Sequence, residues 1–128
     1  MNPEPSDHIA RAEGFLHSAE QLFKMEFWAD SVSRSYYAVF HAATAALLNQ
    51  GIVRRSHHAI WSAFGEHFAA TGRMDQRLHR YALDIFEARN LSDYSAKSWT
   101  TREDAEESLQ NARLFVAAAK TFIDEHSH

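Results

Sequence analysis

Residues 32–47 read VSRSYYAVFHAATAAL, and the spacing of the apolar side chains in this stretch decides the fold class. At the helical period of 100° per residue, six of them gather on one side. They are Val32, Tyr36, Val39, Ala43, Ala46 and Leu47. The pattern predicts a helix with one buried face, from about Ala29 to Asn49, that Gly51 ends.

Apolar residues at spacings of three and four recur before and after this stretch and predict four more helices. The first precedes it with a stripe from Ile9 to Phe23, and the third ends at Gly72. The residues expected to cap these four helices are, in chain order, Ser6 or Asp7, Ser56, Asp75 and the capping-box match Thr100-Thr101-Arg102-Glu103. Short connections between five helices predict an all-α fold, an antiparallel up-and-down bundle of four to five helices, in a single domain over residues 1–128.

The composition is that of an ordinary globular domain rather than a disordered chain, with 45% hydrophobic and 23% charged residues. The absence of cysteine from the sequence excludes disulfide frameworks and thiolate metal sites. The first residues lack the features of a secretory signal, and no apolar run is long enough to cross a bilayer. We therefore expect a cytoplasmic protein with no membrane association.

The charge of the chain is unevenly distributed. The formal net charge is −4, which argues against indiscriminate coating of nucleic acid. Residues 51–90 nevertheless carry six arginines against four acidic residues. A basic central segment between acidic flanks is compatible with a confined anion-binding site.

A row of polar side chains lies opposite the apolar face of the second predicted helix. Its members are Asp30, Arg34, Tyr37, His41 and Thr44. The row lacks the lysine and glutamate usual on solvated faces, and it contains three residue types that can bind phosphate. It is either a solvated face or a strip that faces a ligand or a second subunit.

Arg89 is the residue that fits the helical pattern least. It lies at the centre of the apolar face of the fourth predicted helix, and Asp93 follows at i+4. A guanidinium on such a face is costly unless it is paired or opens onto a cleft. Two interpretations remain open: an internal tie to Asp93 or to a carbonyl, or an arginine directed into a pocket or dimer groove.

The nine histidines do not form a recognisable metal-binding pattern. No helix pair carries the Glu-x-x-His motifs of diiron bundles, and no glycine-rich loop is placed to cradle phosphates. The sequence therefore predicts no metal site and no cofactor.

Four segments resemble a prokaryotic branch of the HEPN family, the higher eukaryote and prokaryote nucleotide-binding domain. Residues 33–43, SRSYYAVFHAA, resemble the signature of its second helix, and residues 56–60, SHHAI, resemble its third. Residues 87–94, EARNLSDY, resemble its arginine motif, and residues 112–122 resemble its closing helix. The resemblance implies a small helical homodimer. It also implies, in many members, a metal-independent ribonuclease that acts as the toxin partner of a minimal nucleotidyltransferase.

The family motif is an arginine, four to six residues, and then a histidine, contributed by both subunits to one cleft. Arg89 and the following Asn90 match its first two positions, but Tyr94 stands where the histidine is expected, giving Arg-x4-Tyr. A tyrosine with a pKa of about 10 does not serve as a base near pH 7. Proton transfer would then move to His41 or His57.

These observations predict a cleft that binds RNA or a nucleotide. The expected catalytic residues are Arg89, Asn90 and Tyr94, and the expected binding residues are Asp93, Arg34, Tyr37, His41 and His57. The first expected function is a toxin-like endoribonuclease or RNA-binding subunit with this degenerate motif. The alternatives are a non-catalytic partner subunit of a nucleotidyltransferase antitoxin and a structural helical adaptor.

Overall fold

The computed structural model describes residues 2–94 and 100–127, and within them it contains five α-helices and no strand. The helices are α1 (Pro5–Lys24), α2 (Trp28–Asn49), α3 (His57–Phe64), α4 (Gln76–Tyr94) and α5 (Arg102–Glu125). The predicted all-α bundle is confirmed. No helix in the described ranges has both the length and the apolar composition needed to cross a membrane.

The second helix is the centre of the molecule, because α1, α3, α4 and α5 all pack against it. The six residues of its predicted apolar face are fully buried. Ala38, Ala42 and Ala45 are buried as well, so α2 is enclosed on more than the one face that its periodicity predicts. The small alanine side chains let the neighbouring helices approach α2 closely, so that side chains at the edge of its buried face lie between α2 and a neighbouring helix.

The N-terminal ends of α1 and α5 differ from the predicted caps. Glu4, rather than Ser6 or Asp7, caps α1, and the carboxylate of Asp7 accepts a hydrogen bond from the Glu4 backbone N–H at 2.7 Å. Pro5 explains the earlier start, since its fixed φ and missing N–H suit the first turn of a helix. At α5 the capping box is Thr101 with Asp104, one residue later than the predicted one.

The predicted third helix, from Ser56 to Gly72, is shorter and less regular than expected. Ser56 caps α3 as predicted, but the α-helix gives way to a π-helical turn at Gly65–Ala69. At Gly65 the backbone approaches the ring of His79 so closely that a Cβ would lie 2.7 Å from Cε1. The close approach requires glycine, and it explains why apolar spacing alone overestimates the length of this helix.

The fourth helix begins next to its predicted cap, because the Asp75 carboxylate accepts the backbone N–H of Arg77 at 2.9 Å. The helix continues to Tyr94 and so includes the first three residues of the segment predicted as a loop from Ser92 to Thr100. Positions 95–99 of that loop lie outside the described residues. The longer helix keeps Arg89 and Asp93 on consecutive turns, where they can pair.

Candidate functional site

Arg89 points inward from α4 onto two tyrosines of α2. Its side chain is only 15% exposed. The guanidinium carbon lies 5.5 Å from the ring centre of Tyr36 and 5.4 Å from that of Tyr37, within the range of cation–π attraction. One Nη2–H donates a hydrogen bond to the Tyr37 hydroxyl at 3.0 Å. The aromatic floor and this hydrogen bond fix the plane of the guanidinium.

The neighbours of Arg89 on α4 neutralise part of its charge. Its Nε lies 2.8 Å from Oδ2 of Asp93 as an ion pair. The buried Nε–H makes no aligned hydrogen bond, so the attraction is chiefly electrostatic. One Nη1–H donates a long hydrogen bond of 3.4 Å to the Asn90 side chain. The predicted tie between Arg89 and Asp93 therefore forms. Within the described part of the chain, one N–H on each Nη atom remains without a partner, so the guanidinium keeps two donors for a ligand.

A chain of hydrogen bonds connects the floor of this site to His57. The indole N–H of Trp61 donates to the hydroxyl of the fully buried Tyr36 at 3.2 Å, and that hydroxyl lies 2.5 Å from Nδ1 of His57. Burial raises the pKa of Tyr36 to about 12, so the hydroxyl keeps its proton at neutral pH. Because Trp61 can only donate, the arrangement that satisfies all three groups has Tyr36 donating to Nδ1. His57 then carries its own proton on Nε2.

His57 stands at the first turn of α3, beside aromatic rings from two other helices. Its ring is parallel to Phe86 of α4, with 3° between the planes, and lies 4.7 Å from Phe40 of α2. Burial, followed by the charge of Arg89 and the neighbouring His58, lowers the pKa of His57 below its ordinary value. The ring is therefore neutral near pH 7. We call Arg89, Asp93, Tyr37, Tyr36 and His57 the Arg89 cluster.

Two other predicted site residues, His41 and Arg34, lie outside the Arg89 cluster. Nδ1 of His41 is 3.1 Å from Nδ1 of His8 on α1, and its ring stacks on Phe15 at 5.5 Å. Burial, His8 and Arg11 lower the pKa of His41 to about 4. The exposed Arg34 also approaches the Phe15 ring, at 5.8 Å, and so these residues belong to the contact between α1 and α2.

The structure thus brings together five of the predicted site residues and separates two. Arg89, Asn90, Asp93, Tyr37 and His57 lie within one region, and His41 and Arg34 lie beside it. The ring of Phe15, 5.6 Å from that of Tyr37, lies between them, and Phe40 contacts both His41 and His57. Tyr94 ends α4, and its side chain lies outside the described part of the structure. No three histidine, aspartate or glutamate side chains come together as a metal site in residues 2–94 and 100–127.

Tyr36 and Trp61 are the functional residues that sequence reasoning missed. Tyr36 was predicted only as a core residue, and it is fully buried. One signal was present: a tyrosine within a stripe of valine and alanine must find a partner for its hydroxyl. Its partners come from α3, so helical spacing within α2 could not identify them.

Comparison with known proteins agrees with this architecture. The profile of the HEPN domain matches residues 5–122. A UPF0332 protein of Gloeobacter violaceus is 38% identical over 124 residues, which cover 96% of this chain and 98% of that protein. "Putative toxin MJ0142" of Methanocaldococcus jannaschii is 30% identical over 90% of this chain and 78% of its own length. The crystal structure of ST0689, an archaeal HEPN homologue, superposes with a TM-score of 0.77 at 19% identity, covering 95% of this chain and 99% of that one.

Proposed function

This chain belongs to the HEPN domain family, and on that premise we propose that it acts on RNA as a toxin-like, metal-independent endoribonuclease that holds a backbone phosphate at Arg89. The observation that carries the proposal is the Arg89 guanidinium, which is 15% exposed, fixed on two tyrosine rings and left with two N–H donors within the described residues. The similarity to relatives that are named putative toxins supports the toxin-like part of the proposal.

Phosphate binding follows from the geometry of the guanidinium. Two donors remain, one on each Nη atom, and guanidinium N–H groups commonly bind the non-bridging oxygens of a phosphate. Aromatic rings on one side limit competition from water, which strengthens the attraction for an anion. Asp93 opposes binding through its negative charge, but it also orients Arg89. We therefore expect a phosphodiester to bind here when further positive charge, for example from a second subunit, offsets the charge of Asp93.

Strand cleavage requires proton transfer as well as phosphate binding. In the proposed reaction the 2′-hydroxyl of RNA loses its proton and attacks the adjacent phosphorus. The bond to the 5′-oxygen then breaks, and that oxygen gains a proton. His57 is the proposed proton acceptor, because it is neutral near pH 7 and contacts Tyr36 beneath Arg89. In the hydrogen-bonded arrangement described above Nε2 carries the proton, so before accepting there His57 must move its proton to Nδ1, with the Tyr36 hydroxyl turning so that its oxygen accepts the Nδ1–H.

The test is cleavage of a structured RNA in EDTA by purified protein. We expect cleavage by the natural sequence and a loss of about 100-fold or more in Arg89→Ala, because one preorganised donor to the transition state is removed. Arg80→Ala on the exposed side of α4 is the matched control and should cleave normally. Cleavage by Arg89→Ala at the natural rate, with the fold intact by circular dichroism, would remove the site assignment.

A second pair of variants tests the proton acceptor. His57→Gln should lose about 10²–10⁴-fold in cleavage rate while retaining RNA binding, because only the proton-transfer step is lost. His17→Gln, an exposed histidine on α1, is its control. Equal rates for the two variants would exclude His57 from the reaction.

The replacement of the family histidine by Tyr94 favours a second candidate function, a non-catalytic subunit that docks a nucleotidyltransferase antitoxin. In that case the purified protein binds RNA or a nucleotide through Arg89 without cleaving it. Co-purification with a small nucleotidyltransferase from the same host, together with no cleavage in EDTA, would decide for this function. Cleavage lost in Arg89→Ala would decide for the endoribonuclease.

A further inference from the structure

We propose that a cavity between α2, the segment 52–55 and the start of α1 binds a small amphipathic anion, with an apolar body and a terminal carboxylate or phosphate. The cavity has a volume of about 480 Å³. This is within the usual range for small-molecule sites. We call it the Arg54–Arg55 pocket, and among the described residues Phe40 both lines it and contacts the ring of His57. The inference does not depend on the proposed action on RNA.

The walls of the pocket are chiefly apolar. Its apolar lining residues are Phe40, Leu48, Ile52, Val53 and Ile60, with Pro3 from the segment before α1. Ile60 is buried, and Ile52 is packed against the core, so the inner end of the pocket is apolar. Val53 is 59% exposed and extends the apolar surface to the mouth of the pocket. These walls fit a hydrocarbon chain or a flat ring.

The charges at the mouth identify the other end of the ligand. Arg54 and Arg55 line the pocket, and both are exposed. Among the described residues, neither forms an ion pair, and the Arg54 guanidinium donates only to the neighbouring Val53 carbonyl at 2.8 Å. No aspartate or glutamate belongs to the lining in that part of the chain. Two unneutralised cations beside an apolar cavity attract an anion with an apolar body.

The remaining polar lining residues are the exposed Asn2, which carries no charge, Thr44 and His8, and they favour a ligand with a single charged end. The Thr44 hydroxyl donates its proton to the Phe40 carbonyl, so it offers the ligand only an acceptor. His8 is tied to His41 through Nδ1, and burial lowers its pKa, so it adds no charge near pH 7. The positive potential is therefore confined to the mouth, where the two arginines stand.

The experiment is a titration of the full chain followed by ¹³C-methyl NMR of Leu48, Ile52 and Ile60. The probes are octanoate, octanol, inorganic phosphate and uridine monophosphate. We expect octanoate to shift these methyl signals with an affinity at least about tenfold higher than that of octanol, because only octanoate can pair with an arginine. Inorganic phosphate alone should leave them unshifted, since it cannot fill the apolar walls. Uridine monophosphate separates the two sources of the anion: tighter binding than octanoate assigns a nucleotide, and weaker binding assigns an acyl carboxylate.

Variants locate the binding. Arg54→Gln with Arg55→Gln should weaken octanoate binding about tenfold or more and leave octanol unchanged, whereas Arg80→Gln with Arg113→Gln, at two other exposed arginines, should change neither. Ile52→Trp should block the pocket, with helical circular dichroism as the check on folding. Equal binding of octanoate and octanol, or no methyl shift with octanoate and uridine monophosphate, would overturn the proposal. Either result is independent of whether the protein cleaves RNA.

Discussion

At the scale of single residues, the Arg89 cluster depends on the hydroxyl group of Tyr36. This oxygen accepts the indole N–H of Trp61 and contacts Nδ1 of His57, while its ring lies under the Arg89 guanidinium. One buried side chain therefore connects the expected phosphate-binding group to the expected proton-transfer group. A buried polar network of this kind fixes geometry, because each unpaired member would be costly.

Replacing Tyr36 with phenylalanine tests this connection. Tyr36→Phe leaves the Trp61 indole N–H without its partner, and we expect the free energy of unfolding to fall by about 1–3 kcal/mol in urea denaturation. The His57 tautomer should also shift away from the Nε2–H form in ¹⁵N NMR spectra. Tyr81→Phe is the control, since its hydroxyl makes no hydrogen bond in the described part of the structure. An unchanged tautomer in Tyr36→Phe would show that the hydroxyl does not orient His57.

The sequence predicts Arg89 as a site residue but not which residues of other helices contact it, for a physical reason. A cation within an apolar stripe breaks the periodicity of its own helix, so it can be detected from the sequence alone. Asp93 and Asn90 follow from helical spacing, and both contact Arg89 as their positions suggest. The contacts of His57 with Tyr36 and Phe86 join residues of three helices, and no local pattern encodes how those helices meet.

At the scale of helices, the contact between α1 and α2 contains a pH-sensitive pair. His8 and His41 face each other with Nδ1 atoms 3.1 Å apart, and burial lowers the pKa of both, that of His41 to about 4. An unfolded chain protonates histidine below about pH 6.5, whereas the folded chain resists protonation of His41 until about pH 4. The stability that this pair contributes is therefore complete above pH 6.5 and is lost as the pH falls towards 4.

We expect the free energy of unfolding to decrease between pH 6.5 and pH 4, with His41 responsible for about 1–2 kcal/mol once solvent screening is allowed for. Urea denaturation at four pH values across this range measures the slope. His41→Gln removes the titrating group and should flatten the curve, while His17→Gln should retain the natural slope. A parallel curve for His41→Gln would exclude the pair as the source of acid sensitivity.

Two helical glycines give a matched test of local packing. A Cβ at Gly65 would lie 2.7 Å from Cε1 of His79, and moving that ring would break its hydrogen bond to the Trp61 carbonyl. Gly65→Ala should therefore lower the free energy of unfolding by about 1–3 kcal/mol. At Gly14 on α1 nothing lies within 4 Å, so Gly14→Ala should raise it by about 0.5–1 kcal/mol through lower chain entropy. Thermal denaturation of the two variants should move in opposite directions, and a stabilising Gly65→Ala would contradict the close approach.

The helices themselves are well predicted from the sequence, and their ends less so. Apolar spacing identified the core of α2 and the stripe of α5 because burial of one face dominates helix stability in a bundle. The π-helical turn at Gly65–Ala69 begins where the backbone comes close to His79 of α4, and apolar spacing within the segment does not encode that approach. The early start of α1 depends on Pro5 and the Glu4 cap, where two residues outweigh the general preference for serine.

At the scale of the whole molecule, the resemblance to HEPN proteins predicts a second copy of the chain that contributes to the same cleft. The helix that carries Arg89 also carries exposed apolar side chains, of which Leu91 is 64% exposed and Leu83 is 40% exposed. Helical spacing places both on sides of α4 away from the inward-facing guanidinium. Isolated exposed leucines are ordinary, but two on one helix offer apolar area to a partner. We therefore test α4 as the element against which the second copy packs.

We therefore predict a homodimer that is required for cleavage. Light scattering at micromolar concentration should give twice the chain mass of 14.6 kDa. Leu91→Asp should shift the mass towards that of one chain and reduce RNA cleavage in parallel, because a buried carboxylate at a two-fold interface faces its own copy. Leu114→Asp, at an exposed leucine of α5, is the matched control and should change neither. A monomer that cleaves RNA at the natural rate would contradict the prediction, because it would show that the Arg89 cluster is complete within one chain.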